Sequence, residues 1–159
     1  MSGEQGRGGF TIVEVLVVLT IAALLAVSSF SLYVSSQNQQ SLEKDVARVV
    51  SVFEEARTLS IANSQGSSYG VHFDRTQVVR FTGTSYNVSS ASNVVERLSS
   101  SVAISTSSPY GLSGGTSNIV FTTLTGTTSA SGTLGLYLVS STTNVKTIRI
   151  YSTGLVETP

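Results

Sequence analysis

The sequence predicts an α+β protein in which one long N-terminal helix packs on an antiparallel β-sheet domain. Three observations carry that expectation. Residues 10–34 form an apolar run containing a single acid, Glu14. Beyond the run, apolar residues recur at helical spacing to about residue 60. After Gly66 the period changes to alternation, which marks half-buried strands.

The helix is read in two halves. A membrane span takes about 20 predominantly apolar residues, and residues 10–34 supply them. Residues 35–65 are amphipathic: Leu42, Val46, Val49, Phe53 and Ala56 form one stripe, with Val50 and Leu59 on its flanks. Lys44, Asp45, Arg48, Glu54 and Glu55 are assigned to other faces. Asp45–Arg48 and Glu54–Arg57 are expected as opposite-charge pairs three apart, each worth roughly 0.2–0.5 kcal/mol. The helix is expected to stop at Asn63-Ser64-Gln65-Gly66, with Gly66 taking the left-handed cap. At about 1.5 Å per residue it would extend roughly 80 Å, more than twice a bilayer core, so its second half must pack on the rest of the chain.

Residues 66–159 read as a β-rich globular domain. Tyr69, Val71 and Phe73 alternate with Gly70, His72 and Asp74, and residues 77–81 return after Asp74-Arg75-Thr76 as a hairpin. Residues 94–98 suit either a strand or a helical turn. Val102 with Ile104, and Ile119 with Phe121, mark short strands separated by the Ser107-Ser108-Pro109 break. Leu134, Leu136 and Leu138 alternate in one strand, and residues 145–151 alternate in the next, with residues 140–144 as the connecting loop. Residues 154–156 close the chain. The Ser/Thr/Gly-rich stretches 82–93, 105–118 and 125–133 are loops.

The chemistry is concentrated at the front. An acid at membrane depth costs about 2.5–3.5 kcal/mol on insertion scales, so Glu14 calls for a partner or a task. Gly9-Phe10-Thr11-Ile12-Val13-Glu14-Val15-Leu16 resembles the processing site of type IV prepilins and type II secretion pseudopilins. The resemblance implies a leader of residues 1–9, cleavage after Gly9 by a prepilin peptidase, and N-methylation of Phe10. It places Glu14 at the fifth mature position, where it would pair with the Phe10 amino group of a neighbouring subunit. The pieces Glu55-Ala56-Arg57, Gly70-Val71-His72-Phe73 and residues 148–156 are similar to H-type pseudopilins and FimT-like minor pilins, which implies the pilin scaffold. The partners so implied are the peptidase, other pilin or pseudopilin subunits, an inner-membrane assembly platform and lipid. The implied location is the bacterial inner membrane, single-pass with a cytoplasmic N-terminus, then an extracytoplasmic pilus or pseudopilus.

Competing readings explain less. A secretory signal peptide has a shorter apolar core with its charged region ahead of it, and would not carry Glu14 inside that core. A lipoprotein needs a cysteine, and the chain has none. A plain anchor leaves Glu14 unexplained.

Net charge is zero and 11% of residues are charged, so no overall basic footprint favours nucleic acid. The alternative of a DNA-binding minor pilin in natural transformation would rest on Arg75, Arg80, Lys146 and Arg149, and the chain ends Val156-Glu157-Thr158-Pro159 without an arginine-rich tail. His72 is the sole histidine, with Asp74 on the same strand face; it is read as a satisfied strand residue. No phosphate loop, paired-histidine motif or nucleophile elbow is present, so no enzyme activity, cofactor or metal is expected.

Overall fold

The structure is a computed structural model that describes residues 9–105, 109–128 and 130–159; the side chains of residues 27–32 also lie outside the described residues. The chain forms two compact units, residues 1–37 and 38–159. Helix α1, Ile12–Ile61, begins in the first and ends in the second.

The β elements are β1 (Tyr69–Asp74), β2 (Gln77–Thr82), β3 (Val94–Arg97), β4 (Val102–Ser105), β5 (Gly111–Leu112), β6 (Asn118–Phe121), β7 (Gly132–Leu138), β8 (Ser141–Ile150) and β9 (Val156–Glu157). The class is the expected one, but the strands divide into two antiparallel sheets. One has the order β3-β2-β1-β6; the other runs β4-β7-β8-β9, with β5 also pairing β7. A backbone bond from Ile104 N–H to the Arg75 carbonyl (2.9 Å) links the β1–β2 turn to β4. Of residues 94–98, Val94–Arg97 form strand β3, in register with β2, and Leu98 lies beyond it.

Within the second unit, Leu42, Val49, Phe53 and Ala56 are fully buried and Val46 nearly so, as the helical stripe requires. They join Val71 and Phe121 of the first sheet and Leu134, Leu136 and Ile148 of the second in one core. At roughly 1.5–3 kcal/mol per fully buried large apolar side chain, this stripe accounts for the packing of the helix's second half.

Four expectations are corrected in detail. Asp45 is not on a solvated face: its exposure is 0%. Its Oδ2 accepts the Ser99 N–H at 2.7 Å and its Oδ1 lies 3.5 Å from Arg48 Nη1. Glu54 and Arg57 form no ion pair among the described residues; Glu55 instead faces Arg80 at 3.4 Å. The helix stops earlier than expected, and the left-handed residue that follows it is Asn63 (φ 47°); Gly66 (φ 66°) ends the next turn. Asn tolerates that conformation better than most side chains. Residues 141–144 are strand rather than loop, because a register shift after Tyr137 leaves only Val139 and Ser140 to make the turn. Ser107 and Ser108 of the expected break lie outside the described residues.

Candidate processing and assembly site

Thr11 defines where the helix begins. Its carbonyl accepts the Val15 N–H at 3.2 Å, the first helical bond, and its Oγ1 accepts the Glu14 N–H at 3.2 Å. This is an N-cap, a role in which Thr is favoured because its hydroxyl satisfies one of the orphan donors of the first turn. Gly9 and Phe10 therefore lie ahead of the helix. Phe10 is 82% exposed, and a Cβ added to Gly9 would meet nothing within 4 Å.

Glu14 is exposed in the first turn of α1. There its carboxylate gains about 0.3–1 kcal/mol from the positive end of the helix dipole in water. It lines a shallow cavity of about 240 Å³ with Phe10, Val15, Val18 and Leu19. The structure thus places Phe10, ahead of the helix, and Glu14, in its first turn, on one shallow surface. Every large apolar side chain from Phe10 to Leu25 is exposed.

Among the described residues no helix is long and apolar enough to cross a membrane. The expected span of residues 10–34 contains residues 27–32, whose side chains lie outside the described residues.

Residues 5–30 match the family model of the prokaryotic N-terminal methylation motif. In structure, the chain is similar to the type IV minor pilin FimU of Pseudomonas aeruginosa strain PAO1 in two crystal forms. One aligns with a TM-score of 0.53 at 13% identity, over 76% of this chain and 91% of the FimU chain. The other aligns with 0.55 at 13% identity, over 78% and 89%. No curated protein matches the sequence. The motif and the fold support the type IV pilin superfamily.

The other candidates on this pilin-like fold are engaged structurally or dispersed. His72 Nδ1 lies 2.7 Å from Asn118 Oδ1, and its ring stacks on Tyr86 at 4.0 Å with a 6° tilt. Asp74 does not join it; its Oδ1 accepts the Arg75 N–H. Among the described residues no group of three acids and histidines could hold a metal. Arg80 is held by Glu55 and lies 5.9 Å over the Tyr69 ring. Arg75 sits in the β1–β2 turn of one sheet, whereas Lys146 and Arg149 lie on β8 of the other, three apart and so on opposite strand faces. The four basic residues are divided between the two sheets.

The capping role of Thr11 and the burial of Asp45 were not expected from the sequence. Thr11 had a readable signal, the T-x-x-E spacing of Thr11 and Glu14, which is that of a capping box. Asp45 had one too: it stands three after Leu42 and four before Val49, on the buried stripe itself.

Proposed function

We propose that this chain is a structural subunit of a type IV pilus or type II secretion pseudopilus, with no catalysis of its own. The observation that carries the reading is the coincidence of a methylation motif at residues 5–30 with a pilin-like helix-and-sheet fold. The likeness to a minor pilin favours a minor subunit of a pilus over a secretion pseudopilin.

On this reading a prepilin peptidase removes residues 1–9 after Gly9 and Phe10 is methylated. Residues 10–34 hold the precursor in the inner membrane with its N-terminus in the cytoplasm. Assembly, on a membrane platform, moves that apolar surface from lipid to neighbouring subunits. Lipid and a helix bundle are comparably apolar, so packing and polar pairing decide the exchange. Glu14, beside the start of the mature chain, pairs with the Phe10 amino group of the next subunit. A desolvated pair needs good geometry to break even, so its contribution is axial register more than affinity.

The test is to express the full chain with a prepilin peptidase and determine its N-terminus by mass spectrometry, then to ask whether the protein sediments with sheared filaments. A methylated Phe10 start and filament association are expected. An intact Met1 start, or trimming beyond Phe10, would overturn the reading.

A further inference from the structure

We infer that Thr11 is a positioning residue for processing: its side chain keeps the Gly9–Phe10 bond out of the helix and so presents it to the peptidase. The inference rests on the processing reading above and adds to it a residue that the motif alone does not assign a task.

In a continuing α-helix the Glu14 N–H would bond to the Phe10 carbonyl, and the Val13 N–H to the Gly9 carbonyl, enclosing the bond to be cut in the first turn. In the structure the Glu14 N–H is taken by Thr11 Oγ1 instead, and the first helical carbonyl is that of Thr11. Among the described residues the Phe10 and Gly9 carbonyls accept no backbone bond. The hydroxyl thus replaces the acceptor that would have lengthened the helix. Hydrolysis adds the hydroxyl of water to the Gly9 carbonyl carbon and a proton to the Phe10 nitrogen as the C–N bond breaks. A peptide unit exposed outside the helix accepts that attack; one wrapped in a helical turn must first unwind.

Removing the hydroxyl releases the donor. In an apolar medium an unsatisfied N–H is costly, so the helix regrows toward Phe10 and Gly9 to satisfy it. Gly9 is an acceptable new cap, which makes this regrowth easy. An N-cap is worth about 1 kcal/mol, which corresponds to roughly fivefold in the population of open, cleavable chains.

The experiment uses the full precursor in membranes with a prepilin peptidase, following cleavage rate and N-terminus by mass spectrometry. Thr11→Val, which keeps the shape and loses the hydroxyl, is expected to be cut at the same bond roughly fivefold more slowly. Thr11→Ser and Thr11→Asn, both good caps, are expected to cleave within roughly twofold of the parent. Carbon-13 shifts of Phe10 in micelles report the helix start directly and are expected to turn helical only in the valine variant. Rates equal in the parent and Thr11→Val, or Thr11→Ser as slow as Thr11→Val, overturn the inference while leaving the processing site intact. A parent chain not cut after Gly9 overturns both.

Discussion

Replacing Asp45 by Ala is expected to be among the costliest single polar changes in residues 38–159. Asp45 is fully buried, and its Oδ2 holds the Ser99 N–H at 2.7 Å, tying α1 to the segment between β3 and β4. Its Oδ1 makes no hydrogen bond and has only Arg48, 3.5 Å away. A hydrogen bond to a charged group contributes about 1.5–3 kcal/mol, and its loss leaves the Ser99 donor without a protein partner. Relief from burying a carboxylate offsets part of this, so a net loss of about 2–3 kcal/mol is expected. A unit of about 120 residues has an unfolding entropy near 0.25 kcal/mol/K, so the melting temperature should fall by about 10 °C. Asp45→Asn keeps an acceptor for Ser99 and should cost about 1 kcal/mol. Glu96→Gln is the control: Glu96 is 44% exposed and 3.8 Å from Arg48, and its loss should cost less than about 0.5 kcal/mol. Urea titration of the full chain in mild detergent, followed by near-ultraviolet circular dichroism of the tyrosines, gives all three values. Asp45→Ala within about 0.5 kcal/mol of the parent would refute the reasoning. Asp45→Asn as costly as Asp45→Ala would show that charge, and not the bond to Ser99, carries the effect.

Three further predictions concern the front of the chain and the loops. Glu14→Ala should be processed normally but be lost from sheared filaments; normal incorporation removes the register role. Gly9→Leu should block cleavage, and a Phe10 start recovered from that variant contradicts the need for a bare backbone at the cut. Gly154→Ala should be far more damaging than Gly83→Ala: both have positive φ, but a Cβ on Gly154 runs into the Gly126 carbonyl oxygen, whereas at Gly83 nothing lies within 4 Å. The first should cost several kcal/mol and the second about 1 kcal/mol, measured by the same urea titration.

The fold was legible where one force set the pattern. The buried stripe of Leu42, Val46, Val49, Phe53 and Ala56 follows from helical spacing alone, and the β1–β2 hairpin from alternation. Reading failed where polarity and position disagreed. Asp45 occupies a core position of the helix, but an acid was assigned to solvent because burial requires a partner, and that partner, the Ser99 backbone, lies 54 residues away. Residues 141–144 are polar, which suggests a loop, but polar β-branched residues such as Thr142 and Thr143 equally suit the exposed part of a long strand. The division of the strands into two sheets could not be seen, because no local pattern states which strands pair. The candidate site is a reading of the sequence itself, in which Gly9, Phe10 and Glu14 fall within one short motif. The T-x-x-E spacing of Thr11 and Glu14 also signalled the cap that the structure shows, with Thr11 Oγ1 accepting the Glu14 N–H.

One helix thus carries two incompatible surface codes, and the incompatibility is what makes a transferable subunit plausible on the proposed reading. From Leu42 to Ser60 a stripe faces the sheets and its apolar surface is satisfied within the chain. From Phe10 to Leu25 apolar residues lie on all sides and stay exposed. At about 1.5–3 kcal/mol for each large side chain left in water, that surface favours an apolar cover. Lipid and sister helices cover it almost equally well, so apolar surface area cannot choose between anchoring and assembly. The choice falls to the few polar groups at the front. Of these, Glu14 is the only charged side chain between Phe10 and Gln40, so on the proposed reading it is the group that would decide the exchange.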